Sequence, residues 1–333
     1  MALRPNRLEP LLDAQGFVVL DGGLATELER GGADLRDPLW SARMLLDGPE
    51  RILQAHWRYF EAGADIATTA SYQASLAGFR TRGLSASEAR AAIRRSVELA
   101  REAALRAEEH GVFGKRAAAG LVAGSVGPYG AALADGSEYR GDYAIGRQEL
   151  IDFHQPRLEE LIAAGADLLA VETIPSLEEA VTLARLLPAW PAITAWISFS
   201  CRDGERISDG TPLVEAVAEV ARGSQVIAVG VNCVPPSAVE RLLARACTGT
   251  GKPLVAYPHR GERWDATARI WSGAPEPADF RRAVPRWYDL GARVIGGCCR
   301  TTPELIRELR AALTRHHGSA MTPSTSDSPT PRV

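Results

Sequence analysis

The sequence predicts an α/β fold of one domain, a (β/α)8 TIM barrel. Two observations carry this. Eight apolar runs alternate with amphipathic helical patterns almost from end to end, and each run is near-continuous, as parallel strands covered on both faces require. Eight such units suit a closed barrel better than the rival, a doubly wound open sheet. The turn after the first run, "VVLDGG", also lacks the G-x-G-x-x-G spacing that an open dinucleotide-binding sheet uses.

The runs follow in order. They are "FVVLDGG" from Phe17, "DIATTASY" from Asp65, "GLVAGSVGP" from Gly120 and "DLLAVETIP" from Asp167. Then come "ITAWISFSC" from Ile193, "QVIAVGVNC" from Gln225, "PLVAYPHRG" from Pro253 and "RVIGGCC" from Arg293. The longest helical pattern, "SASEARAAIRRSVELAREAALRAEEH", opens with Ser at an N-cap position and Glu88 close behind, a helix-start signal. Four later helical patterns open with Ser, Thr or Pro. "EAGAD" at Glu61 and "AAGAD" at Ala163 recur just before two strands, where Gly can end a helix. Residues 1–14 form an N-terminal segment, 15–316 the barrel, and 317–333 a tail. That tail, rich in Ser, Thr and Pro, reads as disordered.

Composition narrows the function. The chain has 333 residues, 46% hydrophobic and 24% charged, with a formal net charge of −3. This gives no reason to expect nucleic acid or a membrane surface as a partner. The N-terminus has no apolar core of signal-peptide length, and no segment is apolar enough to span a bilayer. The expected location is the cytoplasm. Thiols stay reduced there, so the five cysteines read as metal-binding or catalytic rather than as disulfides.

Active sites of such barrels sit at the C-terminal ends of the strands. The unusual residues lie there: Asp21, Gly22, Gly23, Ser71, Tyr72, Glu172, Thr173, Asn232, Cys233, Cys298 and Cys299. Three thiols from strands six and eight can converge, since one strand separates those two. Gly296 and Gly297 are expected to supply backbone angles that a regular strand forbids, turning the adjacent thiols toward one point. Three thiolates suggest zinc, and three protein ligands leave an open position, as in catalytic sites. Cys201 ends strand five and is a further candidate, while Cys247 reads as buried packing. A vicinal redox disulfide is an alternative for Cys298 and Cys299. Three thiolates weaken zinc's power to ionise water. The site suits instead a substrate thiol, which zinc binds as a thiolate nucleophile.

Several motifs together, "DGGLATELERGG", "GADIATTASYQAS", "GSVGPYGA", "VETIPSLEEA", "SFSCRDGERISDGTPL", "GVNCVPP", "YPHRGERWD" and "GGCCRTTPELI", resemble the homocysteine S-methyltransferase family. The likeness is strongest to its S-methylmethionine-dependent bacterial and plant branch, and runs from about Phe17 to Leu313. It implies a (β/α)8 barrel with Zn2+ held by Cys233, Cys298 and Cys299, and the homocysteine sulfur as fourth ligand. A methyl group would pass from a sulfonium donor, S-methylmethionine or S-adenosylmethionine, to that sulfur, giving methionine. Glu172 would bind the homocysteine ammonium, and Asp21 would lie near the sulfur and the donor. Backbone N–H groups of Gly22 and Gly23 would approach the amino-acid carboxylate. Asn232 would orient a ligand or cap its strand. The chain departs from the family pattern at His259, where many members have Asn. His259 is read as a hydrogen-bonding wall residue, a fourth zinc ligand or a donor contact. Trp264, Tyr72 and Tyr129 are aromatic rim candidates for a sulfonium. Alternatives are selenocysteine as acceptor, betaine as donor, or a non-enzymatic zinc- or thiol-binding barrel with four protein ligands. An aldolase-type barrel would want a Schiff-base lysine at a strand end, but the two lysines are Lys115 and Lys252.

Overall fold

The computed structural model describes residues 6–321, apart from 36, 38, 117, 266–269 and 277–279. Eight parallel strands make one sheet. They are β1 (Val18–Val19), β2 (Ile66–Thr68), β3 (Leu121–Val126), β4 (Leu168–Ile174), β5 (Ala195–Phe199), β6 (Val226–Asn232) and β7 (Leu254–Tyr257), with the last, Ala292–Ile295, pairing between β7 and β1. A parallel bridge between Leu20 and Ile66 joins β1 to β2 and closes the ring. The expected barrel is therefore the observed one.

Between β7 and the last barrel strand the chain adds an antiparallel pair, β8 (Arg263–Asp265) and β9 (Ile270–Ser272), leaving Ala292–Ile295 as β10. The sequence reading gave no strand here. Each piece is only three residues long, too short for a periodic signal to show.

The repeated GAD has a physical meaning. Gly63 and Gly165 adopt left-handed φ values of +107° and +90°, which end the helices before β2 and β4. The following aspartates then reach back one strand. Asp65 accepts a hydrogen bond from the Val19 N–H at 2.9 Å, and Asp167 one from the Val122 N–H at 2.8 Å. In return their own N–H groups donate to the carbonyls of Val19 and Val122. Arginines complete both sites, Arg116 and Arg310 at Asp65 and Arg101 at Asp167. These links fix strand register at the end of the barrel away from the strand C-termini.

Inside the ring, alternate strand residues form a core that includes Leu20, Ile66, Leu168, Trp196, Val255 and Val294. Leu8 and Leu11 join it from the N-terminal helix Glu9–Gln15. These two buried leucines tie the stretch before β1 to the barrel core. The expected capping of the long helix Ala86–Glu109 is present: Ser85 and Glu88 form a reciprocal capping box. At the other end, the helix Pro303–Met321 runs past position 316, and His317 packs edge-on against Phe17 and Tyr288. The first residues of the expected tail are therefore helical, and 322–333 lie outside the described residues. Among the described residues no helix is long and apolar enough to cross a membrane.

Candidate active site

A cleft of about 880 Å³ opens at the C-terminal ends of the strands. Its walls include Asp21, Gly22, Gly23, Tyr72, Glu172, Cys233, Cys298 and Cys299, so the ends of five strands of the ring contribute to it. Among the described residues no lysine or arginine lines it. The charges it offers are all acidic, which suits ligands that bring positive charge.

Asp21 follows β1 and is only 2% exposed. Its carboxylate accepts the Thr68 N–H at 2.8 Å and the Thr68 hydroxyl at 2.9 Å, so it also ties β1 to β2. Burial pushes its pKa up to about 8, against the lowering effect of the Thr68 hydrogen bonds. Glu172 points inward from β4 and accepts the hydroxyl of Ser125 on β3. Burial raises its pKa to about 7, partly offset by hydrogen bonds from Ser125 and Tyr257. Both acids are therefore poised to respond to a cation placed beside them.

The three thiols converge as expected, but for a different reason. Cys233 has φ +50°, a conformation that costs a non-glycine residue free energy and turns its side chain off the strand. Cys298 to Thr301 form a tight turn: the Thr301 N–H donates to the Cys298 carbonyl at 3.2 Å, and Arg300 takes φ +65°. That turn gathers two adjacent side chains on one side. Gly296 and Gly297 are not in the left-handed region. Their contribution is space: a Cβ would stand 2.5 Å from Leu20 Cβ at Gly296, and 2.2 Å from Thr301 Oγ1 at Gly297.

The Sγ atoms lie within 4.8 Å of one another. Cys233 to Cys299 is 3.8 Å and Cys298 to Cys299 is 4.0 Å. A tetrahedral ion with sulfur bonds of about 2.3 Å places its sulfurs about 3.8 Å apart. The cluster is compatible with a metal on donor type and on spacing. Hydrogen bonds from Cys298 and Cys299 hold Cys233 well below the ordinary thiol pKa, and the same bonds hold Cys298 and Cys299 above it. Cys233 is thus the most acidic of the three thiols.

Asn232 is fully buried and stands behind the wall. Its Oδ1 accepts the Thr173 N–H at 2.7 Å and the Ser198 hydroxyl at 2.8 Å; its Nδ2 donates to Thr173 Oγ1 at 2.7 Å and lies 4.0 Å from Cys298 Sγ. It pins Thr173, itself at φ +60°, and so the end of β4 next to Glu172. Its amide oxygen and nitrogen are thus engaged by protein partners. Gly23 also departs from expectation. Its N–H donates to the Thr301 carbonyl and hydroxyl, both at 3.1 Å, so Gly22 is the member of the pair left to meet a ligand.

The remaining candidates separate. His259 is outside the thiol cluster and is not among the residues that line the cleft; its Nδ1 accepts the Gly261 N–H at 2.8 Å and its ring sits 5.8 Å from Trp271. Cys201 is apart from the cluster, and Cys247 is exposed rather than buried because it follows the helix Pro236–Ala246 as its C-cap. Tyr129 is away from the cleft, packed on Tyr143 and Phe153. Tyr72 and Trp264 do line it. The sequence reading missed Glu138, Tyr139 and Trp271, which also line it. Tyr139 brings its hydroxyl 3.3 Å from Cys233 Sγ. The signal was present: "DGSEYRGD" is a polar, glycine-bearing loop on the strand-end side of β3, where functional loops of such barrels concentrate.

Comparisons with known proteins agree with this geometry. The model of the homocysteine S-methyltransferase family matches residues 18–313. The homocysteine S-methyltransferase of Escherichia coli (strain K12) is 50% identical over 307 residues, which cover 92% of this chain and 98% of that protein. A selenocysteine Se-methyltransferase of Brassica oleracea var. italica is 44% identical, over 92% of this chain and 91% of that one. Among solved structures, the metallated form of the homocysteine methyltransferase MmuM from Escherichia coli superposes with a TM-score of 0.82 at 47% identity, covering 92% of this chain and 99% of that one.

Proposed function

We propose that this chain, which belongs to the homocysteine S-methyltransferase family, transfers a methyl group from a sulfonium donor to homocysteine, with Zn2+ as its metal. The observation that carries the reading is the trio Cys233, Cys298 and Cys299 at tetrahedral-edge spacing in an acid-walled cleft with no lysine or arginine among the described residues that line it.

Cys233, Cys298 and Cys299 would hold the zinc, which would make the homocysteine sulfur available as a thiolate at neutral pH. The protein's own groups do the rest. Glu172, freed of its proton, pairs with the homocysteine ammonium. The Gly22 N–H faces the amino-acid carboxylate, where no side chain blocks approach. Asp21 offers negative charge to the donor's cationic sulfur. Trp264 and Trp271, with ring centroids 5.4 Å apart, give that sulfur an aromatic wall. The thiolate lone pair forms the new S–CH3 bond as the donor S–CH3 bond breaks. The bonding pair stays on the donor sulfur, which leaves neutral. Sulfur, methyl and leaving group must lie in line, so positioning is the main contribution of the fold.

The test is metal analysis of the reduced protein together with methionine formation from homocysteine and S-methylmethionine. We expect one zinc per chain, and loss of both metal and turnover in Cys298→Ser. A metal-free wild-type protein that still forms methionine would sink the zinc reading. The Brassica relative, named a selenocysteine Se-methyltransferase, favours including selenocysteine as a second acceptor in the same assay.

A further inference from the structure

Both amino-acid substrates in the proposed reaction carry an α-ammonium, and Glu172 accounts for only one of them. Glu138 stands at the same cleft. It is 7% exposed, and its Oε2 has no hydrogen-bond partner. Burying such an oxygen is costly unless something arrives to satisfy it. Glu262 also leaves one oxygen unpaired, but its other oxygen faces Arg300 at 3.4 Å and it is not at the cleft. Asp21 and Glu172 both have protein partners.

The position of Glu138 is built, not incidental. The Ser200 hydroxyl donates to its carbonyl at 3.1 Å. Gly130 packs so close that a Cβ there would meet the Glu138 nitrogen at 2.6 Å. The next residue, Tyr139, touches Cys233, which places Glu138 one residue from the thiol cluster. An ammonium has three donors and no acceptor, the complement of a carboxylate oxygen with an empty lone pair.

Resting on the function proposed above, we propose that Glu138 binds the α-ammonium of the methyl donor and so selects amino-acid sulfonium donors over donors without an N–H, such as betaine. Glu172 then serves the acceptor and Glu138 the donor.

The experiment compares S-methylmethionine with its desamino analogue, dimethylsulfonio-butanoate, on wild-type protein and on Glu138→Gln. Calorimetric binding is measured as well as turnover. On wild type the amino-acid donor should bind at least tenfold tighter than the analogue. In Glu138→Gln that preference should shrink to within about threefold, with the KM for homocysteine unchanged. Equal binding of donor and analogue by wild type would overturn the proposal, and needs no variant. So would a Glu138→Gln protein that keeps the preference, or one whose defect falls on homocysteine. If wild type forms no methionine from any sulfonium, the parent reading fails. The binding data still decide the role of Glu138.

Discussion

Glu172→Gln separates a substrate-binding carboxylate from a structural one. In the ligand-free site burial holds the Glu172 pKa near 7. An ammonium needs the ionised form, while the homocysteine ammonium stays protonated through this range. At pH 6 about one-eleventh of the carboxyl is ionised and at pH 8 about ten-elevenths, so affinity should rise roughly tenfold between them. Homocysteine's thiol also loses a proton on binding, which gives its own pH dependence. Dividing by the affinity of mercaptobutanoate, which has the thiol and carboxylate but no amine, cancels that contribution. The ratio of the two affinities, measured by calorimetry from pH 6 to 8, should therefore climb about tenfold in wild type and stay flat in Glu172→Gln. Gln keeps an acceptor but loses the charge, so homocysteine itself should weaken by about 2–3 kcal/mol, roughly 30- to 150-fold. A flat wild-type ratio, or a variant within threefold of wild type, would refute the assignment.

Asn232→Ala strands the buried Thr173 N–H and takes one partner from the hydroxyls of Thr173 and Ser198, the latter keeping Tyr257, and should cost about 1–3 kcal/mol in urea unfolding. Chelator competition should show about 10- to 100-fold weaker metal binding, through the lost link to Cys298. Gly230→Ala puts a Cβ 2.0 Å from the Val255 carbonyl oxygen inside the sheet and should cost about 3 kcal/mol or more, seen as a fall in melting temperature. Asp21 has its pKa raised to about 8, so the native state keeps a proton that the unfolded chain has lost. Its contribution to stability therefore grows as pH falls through 8. The buried His56, lowered to about 4 by burial, acts oppositely below its unfolded pKa of about 6.5. Between pH 8 and 6.5 the ligand-free protein should gain melting temperature, and Asp21→Asn should reduce that gain. An unchanged slope in the variant would remove Asp21 as its source.

The barrel was legible because each strand is covered on both faces and reads as an apolar run. The site was legible because barrels carry their chemistry at strand ends, where Asp21, Glu172 and Cys233 stood out against apolar neighbours. The GAD repeat was visible, but its meaning needed coordinates: the carboxylates of Asp65 and Asp167 bond a strand that lies some forty-five residues earlier in sequence. What stayed hidden was set by loops. The two tryptophans of the β8–β9 pair meet across three-residue strands, and Glu138 enters the cleft from a single 3-10 turn, Ser137–Tyr139. The reason for two glycines before the thiol pair was misread, since a sequence shows that glycine is present but not whether φ or space demands it. Cys247 looked like packing because helical periodicity does not mark where a helix stops.

The strand ends that carry Asp21, Glu172 and the three thiols, at β1, β4, β6 and β10, stand at separate points of the ring. A growing polypeptide presents Asp21 long before it presents Cys298, and the intervening lengths own parts of a site without owning a site. Ligand capture thus certifies that closure is complete. Conversely, any metal or substrate that binds the closed site more tightly than the open chain draws the equilibrium toward the finished ring. Proofreading of assembly and catalytic competence become the same event.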